Sequence, residues 1–375
     1  MYKYFAAGDS KALKAFKNRI MFRHLFHTIA LTIAAAVILS CSGTSGYVTI
    51  TGYAQGGTYT VKANLEGVDE DPETIRVSID SILSAIDRSV SGYNKGSLMS
   101  RLNAGETIVP DRILADLYRK SADIFVQTGG CVDVASAPLY DIWGFGFKQG
   151  EFPSDEKVAQ VLASSGMDRL VPDMSSVLSS DGSLDPKNLL KEGGGDGQAL
   201  PQLNFNAVAQ GYSCDVVAGY LASIGVEDMM VDIGEIFCKG LNPKGLPWTL
   251  GIDRPVDGNN DPGADLQGIF RAPESPSGIV TSGNYRKFYV RDGRKYAHTV
   301  DPRTGFPVTH QLLSATVVAP DAFTADAMAT YCMVVGPEIA KQFISSRDDL
   351  EACLVIAGED STAVWCSEGF VLSSL

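Results

Sequence analysis

Histidine is scarce in this chain, with four among 375 residues, and that scarcity narrows where proton-transfer chemistry can sit. His24 and His27 fall in an apolar N-terminal stretch, which leaves His298 and His310. His298 stands in Lys295-Tyr296-Ala297-His298-Thr299-Val300-Asp301-Pro302-Arg303-Thr304-Gly305, where strand-forming residues run into a Pro-Arg-Thr-Gly turn. A side chain at a strand end beside a tight turn is held firmly yet can face a cleft. An imidazole with its near-neutral pKa suits general base work on a hydroxyl. A histidine kept for structure satisfies the same spacing, so both readings stand on the residues alone.

The second constellation is Thr324-Ala325-Asp326-Ala327-Met328-Ala329-Thr330. Asp326 and Thr330 are four apart, so on a helix they stack on one face, among small residues that admit a neighbouring chain or a ligand. A carboxylate and a hydroxyl are hard oxygen donors of the kind that hold magnesium alongside waters and phosphate oxygens. The alternative is an aspartate that serves a helix start as cap or dipole partner. The third constellation is Asn204-Phe205-Asn206-Ala207-Val208-Ala209-Gln210-Gly211-Tyr212, which leads into a helix with Asp215 in its first turns. Backbone groups at a helix entry can meet a phosphate or a metal, although a capped helix start needs no ligand.

The elements that must position these residues are legible from periodicity. Residues 47–61 alternate aromatic and β-branched side chains around Gly56-Gly57, which predicts strand, tight turn and strand. Helical spacing predicts helices over 72–86, 111–126 and 207–224, and a helix over 324–336 opened by Thr324 as N-cap. Strands are expected over 229–240, with Gly234 inside, and over 248–252, 268–270, 288–296 and 313–319. Residues 181–202 are polar, contain Gly193-Gly194-Gly195-Asp196-Gly197, and read as a surface loop insertion. Strands and helices without regular alternation predict an α+β fold with mixed or antiparallel sheets and packed helices.

With 45% hydrophobic and 20% charged residues the chain is long enough for a large core. Residues 1–40 hold six of the 31 Lys and Arg but one of the 44 Asp and Glu, so the remainder carries 25 basic against 43 acidic side chains. A body that acidic is a poor non-specific partner for nucleic acid. Any phosphate it binds must be met by a metal ion, backbone N–H groups or a few placed side chains.

The N-terminus reads as an address. Lys11, Lys14, Lys17, Arg19 and Arg23 precede an apolar run over 25–39, followed by Ile38-Leu39-Ser40-Cys41. The run is shorter than the roughly 20 residues of a spanning helix, so residues 1–40 are expected to be a lipoprotein signal peptide, with Met21 an alternative start. Cys41 is then the lipidation site, 41–46 a tether, and 47–375 the folded body, exported and held on a bacterial membrane, the inner membrane facing the periplasm being expected. Of the remaining cysteines, Cys353 and Cys366 flank a turn in a strand-like hairpin, where a bridge is geometrically open.

Several segments, in order, resemble the ApbE family, the FAD:protein FMN transferases. They are Gly52-Tyr53-Ala54-Gln55-Gly56-Gly57-Thr58-Tyr59; Ser91-Gly92-Tyr93-Asn94 with 97–103; Cys131-Val132-Asp133 with Pro138-Leu139 and Trp143-Gly144-Phe145-Gly146; the Asn204 segment; Thr281-Ser282-Gly283-Asn284-Tyr285-Arg286; the His298 segment; and the Asp326 segment. The resemblance runs from about residue 47 to the C-terminus. It implies an ApbE-like fold with a flavin cleft, and it implies FAD as substrate and Mg²⁺ as cofactor. The metal would be held by the side chains of Asp326 and Thr330 and the backbone oxygen of Ala207. Gln55, Tyr93, Cys131, Val132, Asp133, Asn204, Gln210 and Val300 would line the flavin and adenine pocket, and His298 would sit near the acceptor hydroxyl.

The implied reaction moves FMN from FAD to a threonine or serine of another protein, releasing AMP. The implied partner is an exported flavoprotein subunit of an electron-transfer or ion-pumping complex. Ile233-Gly234-Glu235 is one glycine shorter than the family's I-G-G-E, so the backbone there must adjust. Hydrolysis of FAD to FMN and AMP by the same site, storage of FAD without turnover, and a purely structural lipoprotein are the competing readings.

Overall fold

The computed structural model describes residues 46–146, 152–191, 199–200, 202–256, 258–259, 261, 263–285, 288–291, 294–358 and 361–374. The expected signal peptide, Cys41 and the glycine run 193–197 lie outside the described residues. Among the described residues no helix is long and apolar enough to cross a membrane.

The predicted opening hairpin is present: β1 (Tyr47–Ala54) pairs antiparallel with β2 (Gly57–Asn64). Its two turn residues are Gln55 at φ 52° and Gly56 at φ 82°, the left-handed pair whose twist matches the flanking strands. Five helices follow: α1 (Pro72–Val90), α2 (Leu98–Asn103), α3 (Arg112–Gln127), α4 (Ala137–Ile142) and α5 (Asp155–Leu162). Asp71 caps α1 by accepting from the N–H groups of Glu73 and Thr74, and Ile75, Ile79, Leu83 and Ile86 form its buried stripe. Then come α6 (Ala209–Ser223), β3 (Met229–Asp232), β4 (Ile236–Lys239), β5 (Thr249–Asp253), β6 (Leu266–Arg271), β7 (Ser277–Gly283), β8 (Phe288–Arg291), β9 (Arg294–Ala297) and β10 (Leu312–Ala319). The chain closes with α7 (Ala322–Val335), α8 (Pro337–Ser345), β11 (Glu351–Ala357), β12 (Thr362–Cys366) and β13 (Leu372–Ser373).

One eight-stranded sheet, β1-β2-β3-β4-β7-β10-β11-β12, organises the fold and is antiparallel at every pairing. Period-two alternation gives it two apolar faces. Val61, Val231, Val280, Val317 and Leu354 point into the main core under the helices. Met230, Cys238, Ile279, Val318 and Cys353 point the other way, onto Trp248 and onto Leu250, Ile252 and Phe270 of the small sheet β13-β6-β5. The α+β architecture expected from the residues is the one observed.

Helix α7 lies against β7 and β10 and packs on α6. Eleven of its fourteen residues are buried, as an apolar helix with no polar face must be. Its buried Met328 and Met333 side chains each contribute about 1.5–3 kcal/mol.

Four local expectations are corrected. The α7 N-cap is Asp321, not Thr324: Asp321 accepts from both the N–H and the hydroxyl of Thr324, because a carboxylate there outcompetes a hydroxyl one turn later. Residues 229–240 form two strands, since Gly234 at φ 95° turns the chain between β3 and β4. Residues 288–296 likewise divide into the β8–β9 hairpin. Part of 181–202 is packed rather than looped: Leu184 and Leu189 are fully buried, and Leu184 bridges Ile108.

Candidate active site

Two helix starts meet at the centre of the site and cap each other. The first three N–H groups of any helix lack an internal acceptor, and α6 has no capping side chain of its own at Val208. Gly211, the third residue of α6, instead donates its N–H to Oδ2 of Asp326 on α7 at 3.1 Å. In return Asp215 of α6 accepts from Ala322 N and Phe323 N of α7, both at 2.8 Å. The approach requires glycine at 211, because a Cβ there would lie 2.2 Å from the Ala322 carbonyl oxygen and 2.9 Å from Asp326 Cβ.

This arrangement sets the electrostatics. Burial pushes the Asp326 carboxyl up to about 8, against the Gly211 N–H, which lowers it, and with the charge of Asp215 raising it further. Asp215 is likewise pushed up to about 7, chiefly by burial. Glu235 is raised well above the carboxylate range by burial and then by the nearby Asp326 charge, while a Thr281 backbone N–H opposes the shift. Asp326, 5% exposed, and Thr330, half-buried one turn on, share a face of α7 as the spacing predicted. Among the described residues no three His, Cys, Asp or Glu side chains gather at metal-binding distance. A cation here would therefore take a mixed set of carboxylate, hydroxyl and backbone oxygens, and a divalent charge beside Asp326 would offset the cost that burial puts on ionising its carboxyl. The residues fit that role.

Around this centre the structure brings several predicted residues together. Gln210 of α6 donates Nε2 to Ile233 O at 3.1 Å and lies over Gly234, whose absent Cβ would fall 2.5 Å from that nitrogen. Cys214 Sγ donates to Glu235 O at 3.0 Å, so α6 grips the shortened β3–β4 turn from two positions. Gln55, at the tip of the opening hairpin, donates to Ser213 Oγ at 2.5 Å. Asn204 N donates to Val134 O at 2.7 Å, and Asn204 Oδ1 accepts from Asn206 N at 2.9 Å, which shapes the turn that carries Ala207 into α6. Asp133 accepts from Ala135 N at 2.8 Å and Met167 N at 3.2 Å, and burial lifts it to about 6 despite those donors.

Other predicted residues sit differently. Cys131 and Val132 are buried in the main core, and burial pushes the Cys131 thiol up to about 11. Val300 is fully buried in a small core with Leu139, Trp143, Val158 and Val161, so it can offer a ligand its backbone but not its side chain. Tyr93 is 77% exposed in the turn between α1 and α2.

The two histidines separate clearly. His310 accepts from Leu312 N through Nδ1 at 3.2 Å and, with its proton on Nε2, donates to Met333 O at 2.9 Å. Burial lowers its pKa, and its ring closes the end of α7. His298 is half-buried just past β9, on backbone fixed by Val308 N to Thr299 O at 3.0 Å, Thr299 Oγ1 to Asn284 Oδ1 at 2.6 Å and Tyr140 OH to Val300 O at 3.3 Å.

Residue-by-residue reading missed Glu235 as the carboxyl beside Asp326 and Asp321 as a cap. The Asp232-Ile233-Gly234-Glu235 cluster in a predicted strand was the available signal for the first.

The family model described as ApbE family matches residues 55–354. Over 320 residues the chain is 32% identical to a protein of Escherichia coli strain K12 named FAD:protein FMN transferase, covering 82% of this chain and 84% of the relative. A protein of the same name from Vibrio cholerae is 29% identical over 350 residues, covering 91% and 97%. Among solved structures, the flavin transferase ApbE from Vibrio cholerae superposes with a TM-score of 0.71 at 28% identity, covering 87% of this chain and all of that one. The apo form of Pseudomonas stutzeri flavinyl transferase ApbE gives 0.72 at 29% identity, covering 86% and 95%. With the order of motifs, the antiparallel architecture and these matches in agreement, the chain belongs to the ApbE family.

Proposed function

We propose that this protein transfers FMN from FAD to a threonine or serine hydroxyl of another protein, leaving a phosphoester-linked FMN and releasing AMP. The observation that carries the reading is the placement of Asp326 and Thr330 one turn apart on buried α7, beside the α6 entry that holds Ala207 and Gln210. The match over residues 55–354 to proteins named FAD:protein FMN transferase supports it.

Asp326, Thr330 and the Ala207 carbonyl would hold Mg²⁺. When bound, the ion would neutralise charge on the FAD pyrophosphate. The chain's own groups do the rest. Gln55, Asn204 and Gln210, whose side chains are held by hydrogen bonds to Ser213, Asn206 and Ile233, orient the dinucleotide. His298 takes the proton of the acceptor hydroxyl. That oxygen bonds to the FMN phosphorus as the bond from this phosphorus to the bridging oxygen breaks, and AMP leaves with that oxygen.

The protein acts after export, held to the membrane by lipid on Cys41, and its acceptor is an exported flavoprotein subunit of an electron-transfer or ion-pumping complex. The test mixes the protein with FAD, Mg²⁺ and a candidate acceptor and follows acceptor mass and AMP. A gain of one FMN together with AMP supports the reading. AMP without that gain points to hydrolysis, and binding with neither product to storage.

A further inference from the structure

Cys353 of β11 and Cys366 of β12 stand directly opposite each other in the edge hairpin of the large sheet. The neighbouring hydrogen bonds define the kind of pair. Ser367 N donates to Ala352 O at 2.9 Å, and Gly358 N donates to Ser361 O at 2.8 Å. Hydrogen-bonded pairs therefore fall at 352/367 and 358/361, and the alternation of an antiparallel ladder puts 353/366 in a non-hydrogen-bonded pair. Facing Cα atoms in such pairs lie about 4.5 Å apart, inside the roughly 4.4–6.8 Å that a disulfide spans.

We propose that Cys353 and Cys366 close as a cross-strand disulfide that locks edge strand β12 onto β11 when the protein meets an external disulfide. Cys366 is the accessible partner, half-buried, whereas Cys353 is buried in the core between the two sheets. The Cys353 thiol opposite it also holds the Cys366 thiol pKa below its usual value, which favours Cys366 as the attacking thiolate. The Cys366 thiolate attacks one sulfur of the external disulfide and expels one thiol. The Cys353 thiolate then displaces the second thiol from the mixed disulfide. Two protons and two electrons leave the protein, and the external disulfide is reduced to two thiols.

The need for such a lock is visible in β12. It ends the sheet, and its first three residues, Thr362, Ala363 and Val364, are exposed, so one ladder and little burial hold it. The pairing is also selective, since Cys131, Cys214, Cys238 and Cys332 are buried on other elements and β11 opposes Cys353 with Cys366 alone.

The full chain, incubated with oxidised glutathione, is denatured, alkylated with iodoacetamide and cleaved with a glutamate-specific protease. The expected result is a peptide pair joined through Cys353 and Cys366, two hydrogens lighter than its reduced halves, with Cys131, Cys214, Cys238 and Cys332 alkylated. Alkylation of both Cys353 and Cys366 in the oxidised sample, or linkage of either to another cysteine, overturns the proposal. A second readout guards against a linkage trapped during unfolding. Oxidation should raise the melting midpoint by about 5 °C in the natural chain and leave a Cys353→Ala/Cys366→Ala variant unmoved, whereas an equal rise in both also refutes it.

Discussion

The amide of Gly211 donates to the carboxylate of Asp326 at 3.1 Å, joining the first turn of one helix to the second turn of another across 115 residues of sequence. Asp326 thus holds the helix junction with one oxygen while its second oxygen carries no hydrogen bond among the described residues, which leaves that oxygen for the proposed cation.

That dual role separates two substitutions. Asp326→Asn keeps an oxygen for Gly211 N–H but loses the charge. It should fold with a melting midpoint near that of the natural chain yet lose about 10²–10³-fold in FMN transfer, with no recovery in excess Mg²⁺. Substantial activity in this variant, measured as AMP release and acceptor mass, would remove the metal assignment.

Gly211→Ala tests the junction itself. A methyl 2.2 Å from the Ala322 carbonyl must push α6 and α7 apart, at a cost of about 1–3 kcal/mol. The midpoint of urea unfolding should drop accordingly. An unchanged midpoint would mean that the two helix starts do not touch as described.

The histidines are expected to divide their effects. His298→Ala should slow transfer by about 10²–10⁴-fold while FAD binding, followed by flavin fluorescence, changes little. His310→Ala strands Leu312 N and Met333 O, so it should cost about 1–3 kcal/mol of stability and leave the rate per folded molecule near normal. Equal loss of rate and FAD affinity in the His298 variant would recast His298 as a binding group.

Asp133 makes a pH prediction. Burial lifts its folded pKa to about 6, above the unfolded value of about 3.9. The folded state therefore holds the proton more tightly. Its contribution is full below pH ~4, is lost as pH rises through ~6, and amounts to about 3 kcal/mol. Asn at this position keeps one oxygen for Ala135 N and Met167 N, both of which donate to Oδ1. Asp133→Asn should flatten the decline in stability between pH 4 and 6, and an unaltered slope in denaturant titrations would show that another group titrates there.

What the residues reveal in advance follows the range of the forces involved. The shared face of Asp326 and Thr330 was legible because helix geometry alone stacks residues four apart. So was the opening hairpin, where alternation and a glycine act within a few residues. The Gly211–Asp326 bond and the nearness of Glu235 to Asp326 depend on where β4 and α7 settle in the sheet, which no local pattern encodes. Gly234 read as a strand interruption when it is a turn, since one glycine inside an apolar run does not announce the reversal of the chain. The α7 start was placed three residues late because Thr324 is itself a competent cap, outcompeted by Asp321. Leu184 and Leu189 were passed over because their polar neighbours dominate the window, although two leucines suffice to anchor the segment.

Helix α7 carries Asp326 and Thr330 and is also the most enclosed helix among the described residues. A site mounted there cannot breathe by itself: amide hydrogens around it should exchange only when the whole body unfolds. Drift in specificity has little room on that helix and must come from peripheral pieces such as the Gln55 hairpin tip, which can be altered while the centre stays as it is.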